Sequence, residues 1–189
     1  MAIKGMFRQG PVQLSTQRFY LKTLGRHEAS DRYLSWVKDP EISRTLDVDS
    51  ESQSLETLKE YIASHDGETK FLFGIFEKKG NQIGTHSVAV WPEERRAYIG
   101  VMIGDKDFWG KRVPLETRSR LLNWVFHEFP CDKVQACCDV INTPAIFNFQ
   151  KQGWDLFKVE PAARMLEGRK IDRLHYQILK SQWKIKMNV

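Results

Sequence analysis

The sequence predicts a mixed α/β (α+β) domain: one mostly antiparallel sheet with a central strand–helix–strand unit and helices on both faces. Three observations predict it. Three runs rich in aromatic and β-branched residues, 70–77, 82–91 and 95–103, follow one another, parted by the turn signals Lys79-Gly80-Asn81 and Pro92-Glu93. A segment with an apolar helical stripe, 114–129, then stands between the third run and a further strand-like run, 133–140. Two last strand-like runs, about 155–165 and 171–179, meet across the turn Glu167-Gly168-Arg169.

Taken in order, residues 1–12 read as a loose arm. The alternating run 18–24 is a strand. Residues 28–37 form a helix with Tyr33, Leu34 and Val37 on one face, ending near Asp39-Pro40 because the residue before proline avoids the helical region. A short helical turn over 41–46 follows. Ser54 is an N-cap for a helix to about residue 64 that turns Leu58, Tyr61 and Ile62 inward. After the three-stranded meander comes the loop 104–112. In 114–129, Thr117, Leu121, Val125 and Phe129 stand four apart with Leu122 and Phe126 beside them. Val113 is the cap and Pro114 the first helical residue. Residues 144–152 form a short helix stopped by Gly153.

With 189 residues the chain is the size of one domain, 1–189, able to bury a core without staples. The longest apolar stretch, 71–76, is far too short to cross a bilayer, and the first ten residues lack the apolar core of a signal peptide. No membrane partner is expected. Three cysteines, Cys131, Cys137 and Cys138, are an odd count with an adjacent pair; this points to a reducing, cytoplasmic setting and fits no usual zinc spacing, so no metal site is expected. The net charge of +5 suits a phosphorylated ligand or nucleic acid, or is background; without an arginine-rich tract, nucleic acid is disfavoured.

Chemistry is expected where the strand 95–103 feeds the helix 114–129. Free N–H groups and the helix dipole at such a junction attract anions, and Lys111 and Arg112 add two cations. The segment reads either as a phosphate cradle or as an ordinary turn bearing two solvated basic residues.

The stretch 98–111, YIGVMIGDKDFWGK, resembles the acetyl-CoA-binding segment of the GCN5-related N-acetyltransferases (GNAT), in the branch with ribosomal-protein alanine and amino-sugar acetyltransferases. The resemblance spans nearly the whole chain: 14–21 resembles the opening strand, 33–42 the first helix, Ile83-Gly84 the third-strand motif, 142–146 with 151–154 the later helix, and Asp172, Tyr176 and Gln182-Trp183 the closing strand. It implies a GNAT-like fold with acetyl-CoA as co-substrate. It further implies that the backbone of Val101, Met102 and Ile103 pairs with the pantetheine amides. The pyrophosphate would sit on Gly110, Lys111, Arg112, Val113 and Leu115, and Asn142 and Phe149 would approach the cofactor from the later helix.

Two departures stand out. The family loop reads Gln/Arg-x-x-Gly-x-Gly/Ala, whereas Arg112 and Pro114 fill the small-residue positions here and only Gly110 remains. Pro114 has no N–H to give, and one lost charge-assisted hydrogen bond costs about 1.5–3 kcal/mol, which Lys111 and Arg112 would partly restore. Phe149 stands where many relatives place an acidic tyrosine. For proton transfer this leaves His86, the best generic base near the expected cleft, and Tyr98, which is either a polar participant or packing. Asp47, Asp49 and Glu51 form an acidic patch suited to a cationic amine, or a solvated loop. The expected activity is acetyl transfer by direct attack of a primary amine of an amino sugar, amino acid or protein N-terminus. The alternatives are a catalytically degenerate binding or regulatory module, and catalysis with another acyl donor. The closing strands and Trp183, taken as exposed, suggest a homodimer.

Overall fold

The computed structural model of the chain describes residues 10–46 and 48–187, with side chains to Trp183. Asp47 and most of the expected arm lie outside the described residues. Eight strands form one sheet in the order β1-β2-β3-β4-β5-β6-β8-β7. They are β1 (Gln13–Ser15), β2 (Phe19–Thr23), β3 (Lys70–Glu77), β4 (Gln82–Trp91), β5 (Arg96–Ile103), β6 (Lys133–Asp139), β7 (Asp155–Leu166) and β8 (Arg169–Leu179). All neighbours are antiparallel except β5 and β6, which run parallel. The helices are α1 (Asp31–Lys38), α2 (Pro40–Ser43), α3 (Leu55–Ala63), α4 (Val113–Glu128), α5 (Thr143–Gln152) and α6 (Lys180–Met187). The expected mixed sheet and its central βαβ unit are both present.

Strand alternation sorts the core into two layers. Phe71, Phe73, Ala97 and Ile99 point to the α4 side, where Trp124 meets Phe71 and Phe73 edge to face. Leu72 and Met102 point the other way, onto Tyr33, Trp36, Leu58 and Ile62 of α1 and α3. Gly84 makes the β4–β5 seam possible: a Cβ there would meet the Met102 carbonyl oxygen at 2.2 Å.

Several local expectations are corrected. α1 begins at Asp31, after a 3-10 turn (Arg26–Glu28), because the Ser30 hydroxyl accepts from the Tyr33 amide. Tyr61 is 46% exposed rather than turned inward. Arg112, not Val113, is the cap residue of α4. Strand β1 and helix α6 were not expected, and Gln182-Trp183, expected in the closing strand, lie in α6 because β8 ends at Leu179. Trp183, taken as exposed, is buried, and its indole N–H donates to Asn123 Oδ1 at 2.6 Å. It seats the start of α6 on α4 and offers no free surface.

Candidate active site

The parallel ladder between β5 and β6 is short. It joins Arg96 to Lys133, Ala97 to Val134 and Tyr98 to Gln135, and then stops, although β5 runs on to Ile103 and β6 to Asp139. The two strands therefore part, leaving backbone groups of Val101, Met102 and Ile103 along one edge of a gap.

At the mouth of that gap stands the N-terminus of α4. Gly110 and Arg112 both adopt left-handed backbone, at φ +72° and +58°, and a Cβ on Gly110 would meet nothing within 4 Å. No side chain caps the helix. Among the described residues nothing accepts from the amides of Arg112, Val113 or Leu115; the Glu116 amide is the first taken up, by the Arg112 carbonyl at 3.4 Å. Three unused donors, an open glycine, a helix dipole and the exposed side chains of Lys111 and Arg112 make a set of partners that fits a diphosphate. Pro114 removes a fourth donor, as expected. Gly110, Lys111, Arg112, Val113 and Leu115, the loop and helix-start residues singled out in the sequence, all stand at this mouth.

Arg18 is part of this mouth and sequence reasoning missed it. Its amide and Nε each donate to the Glu116 carboxylate at 2.7 Å, and its Nη2 donates to the Lys111 carbonyl at 3.0 Å. An arginine 98 positions from its partner carries no local signal in the sequence.

On α5, Asn142 is the N-cap: its Oδ1 accepts from the Ala145 amide at 3.1 Å, which leaves its amide nitrogen toward other partners. Phe149 is buried, stacked on Tyr176 at 4.5 Å and edge-on to Trp154 at 5.2 Å. The guanidinium of Arg118 lies 4.5 Å above the Phe149 ring.

The two proton-transfer candidates differ in placement. Tyr98 is half-buried at the last rung, its hydroxyl directed onto the Cys137 sulfur. Burial, helped by that bond, holds its proton well above the usual phenol range, so it is a donor at neutral pH. His86 is fully buried behind β5. Its Nδ1 is 3.0 Å from the Gly100 carbonyl and its Nε2 is 2.9 Å from Thr117 Oγ1. A carbonyl only accepts, so Nδ1 carries the proton; Nε2 contacts the Thr117 hydroxyl, whose oxygen, with a single proton to give, also lies 2.8 Å from the Val113 carbonyl oxygen. Burial, with the nearby Arg118 cation, brings the imidazole down to about 3. Both nitrogens are taken, and His86 holds β5 to α4 rather than facing the gap. Asp49 and Glu51 lie exposed in the loop before α3. Cys131, Cys137 and Cys138 are all free thiols. No group of metal ligands occurs among the described residues, and no helix there is long and apolar enough to cross a membrane.

The chain is similar to several known proteins. It is 26% identical over 182 residues to the uncharacterized N-acetyltransferase p20 of Bacillus licheniformis, covering 90% of this chain and 97% of that one. In structure it is similar to RimL, the ribosomal L7/L12 α-N-protein acetyltransferase solved with coenzyme A (TM-score 0.79, 17% identity, 92% and 99% covered). It is also similar to spermidine N-acetyltransferase from Vibrio cholerae, solved with CoA and spermine (TM-score 0.80, 18% identity, 88% and 98% covered). These likenesses establish the fold. The model of the acetyltransferase (GNAT) domain matches residues 18–155, which takes in both strands of the gap and the mouth of α4, and the chain belongs to that family.

Proposed function

We propose that this protein is an acyl-CoA-dependent N-acyltransferase, with acetyl-CoA as co-substrate. It transfers acetyl to a primary amine of an amino sugar, an amino acid or a protein N-terminus by direct attack on the thioester. One observation carries the reading: the parallel pair β5–β6 parts after Tyr98 and Gln135, and the uncapped N-terminus of α4 stands at the opening. In this reading the amides of Arg112, Val113 and Leu115, with Gly110, Lys111 and the Arg112 side chain, hold the diphosphate. The edge of Val101, Met102 and Ile103 lines the pantetheine, and Asn142 and Phe149 flank it from α5. Tyr98, a protonated hydroxyl at the closed end of the gap, is a polar group beside the parting of the strands, its proton resting on Cys137 Sγ. His86 acts as a positioning residue. We also place the protein in the cytoplasm, since three free cysteines suit a reducing compartment.

The second reading, a binding module that no longer uses acetyl-CoA in the usual way, draws on the missing donor at Pro114 and the phenyl ring of Phe149. Calorimetric titration with acetyl-CoA separates the two. Micromolar binding with a raised melting temperature supports transfer; no binding at millimolar ligand leaves only the module. In the same assay Lys111→Ala and Arg112→Ala each weaken binding several-fold and flatten its salt dependence.

A further inference from the structure

Arg118 is the most deeply buried cation among the described residues, at 2% exposure. A buried guanidinium ordinarily faces a carboxylate, because the desolvation cost is otherwise uncompensated. Among the described residues no carboxylate lies within ion-pair distance of this one. Its neighbours are the faces of Phe149 and Trp154, at 4.5 and 5.7 Å, and the carboxamide of Gln152, whose Oε1 accepts from Nη1 at 3.2 Å. Burial lowers its proton affinity to about 10, so it remains charged at neutral pH.

One hydrogen bond satisfies a single donor of a group that has five. No fully buried polar side-chain atom among the described residues lacks a partner. The guanidinium nitrogens not bonded to Gln152 therefore reach a sliver of accessible space. That space is placed by what surrounds it. Cys138 of β6 and His86, which grips the Gly100 carbonyl of β5, are the electrostatic neighbours of Arg118. Gly100 and Cys138 both lie beyond the last rung joining β5 to β6. The cation thus stands in the second turn of α4, over the Phe149 ring of α5, with donors to offer and no anion among the described residues to receive them.

Acyl transfer from a thioester creates an anion that needs such a partner. The amine lone pair forms the new C–N bond at the thioester carbonyl carbon. The C–S bond breaks, and its electron pair stays on sulfur as a thiolate. The ammonium proton passes to water, and the thiolate later takes a proton from water, so amine and thioester become amide and thiol. Phe149 has no proton to supply. We propose that Arg118 is the counter-charge for that sulfur, stabilising the departing coenzyme A thiolate by charge and by its unused N–H donors instead of by proton donation. The inference rests on the acyltransferase reading above. It gives the rings of Phe149 and Trp154, with Tyr176 stacked behind Phe149, a role beyond packing, since they cover one face of the guanidinium and let its charge be felt in a low dielectric. The titratable groups packed around Arg118 are His86 from β4 and Cys138 from β6, both uncharged at neutral pH: burial keeps the imidazole deprotonated and pushes the Cys138 thiol up to about 12.

The test reads the thiol itself and needs no acceptor amine. Full-length protein is saturated with coenzyme A, and thiolate absorbance is followed against pH, with the complex of desulfo-coenzyme A subtracted to remove the three protein cysteines. The bound thiol of the wild type is expected to ionise at least one pH unit below free coenzyme A, roughly a tenfold shift. Arg118→Met returns it to the free value or above, and Arg118→Lys keeps part of the shift. A wild-type complex whose thiol titrates like free coenzyme A overturns the inference while leaving the acyltransferase reading intact. So does a shift that survives in a folded Arg118→Met protein. Failure of the wild type to bind coenzyme A at millimolar concentration overturns both.

Discussion

At Arg112 the backbone sits at φ +58° with no side-chain cap and, among the described residues, no close partner for its side chain, conditions that glycine meets at lower cost. A non-glycine residue in this region carries about 1–2 kcal/mol of strain. Part of the gain from relieving it is offset by the greater freedom of glycine in the unfolded chain. Arg112→Gly is therefore expected to stabilise the protein by about 0.5–1 kcal/mol, read from the midpoint of urea unfolding; a loss of stability refutes the strain. His86 yields a second residue-level expectation. Its folded-state value of about 3 lies below the ordinary 6.5, so between those pH values the unfolded chain binds a proton that the native state does not. Stability from this group is present above pH 6.5 and is lost as pH falls toward 3, with a slope of up to about 1.4 kcal/mol per pH unit. His86→Gln lowers stability at pH 7 but flattens the fall between about pH 6.5 and 4.5. Parallel slopes in the two proteins would show that His86 does not titrate as its burial demands.

The elements show what a linear sequence discloses. The meander β3–β5 was legible because turn residues punctuate it and its side chains are aromatic or β-branched. Helix α4 was legible because its apolar residues recur at helical spacing. Strand β1 has three residues and α6 exposes no comparable stripe, so neither rises above its surroundings. Of the site, Gly110, Lys111 and Arg112 announced themselves through the strand–loop–helix order. Thr117 was legible as part of the apolar stripe, but its bond to His86 was not, since it joins elements 31 positions apart. The Arg18 clamp belongs to the same class. Glu116 puts a carboxylate in the first turn of α4, beside the expected diphosphate, and the Arg18 guanidinium offsets it while also fixing the Lys111 carbonyl. The pair is partly exposed, so its loss costs the fold less than about 1 kcal/mol. Its effect on the loop is larger: Arg18→Ala is expected to raise the Kd for acetyl-CoA roughly tenfold, about 1.4 kcal/mol, with the melting temperature of the free protein little changed. Arg18→Ala combined with Glu116→Gln recovers much of that loss, because the uncompensated carboxylate is gone. An unchanged Kd in the single variant would mean that the clamp shapes nothing the ligand uses.

Across the whole molecule the sheet is two antiparallel wings, β1–β5 and β6–β8, joined through only three parallel rungs. The rest of the seam is bridged from the α4 side, where α4 packs on β1, β2 and β5 and Gln152 of α5 reaches the Leu115 carbonyl and the Ser119 hydroxyl. A strand edge left open in a parallel sheet is costly unless something pairs with it, since each buried backbone donor or acceptor seeks a partner. In the acyltransferase reading the pantetheine arm is that partner, and its binding stitches the wings together. Two measurable consequences follow from the same physics. Amides of β5 from Ile99 to Ile103 and of β6 from Ala136 to Asp139 are expected to exchange slowly with solvent deuterium in the complex and faster in the free protein. The far rungs of β3–β4 and β7–β8 should change little. Acetyl-CoA at about a hundred times its Kd adds about 2.7 kcal/mol to global stability, which for a domain of this size is a rise of roughly 5–10 °C in melting temperature. Protection confined to the α4 mouth, with β5 and β6 exchanging as before, would mean that the diphosphate seat is real and the seam is not where the thioester arm lies.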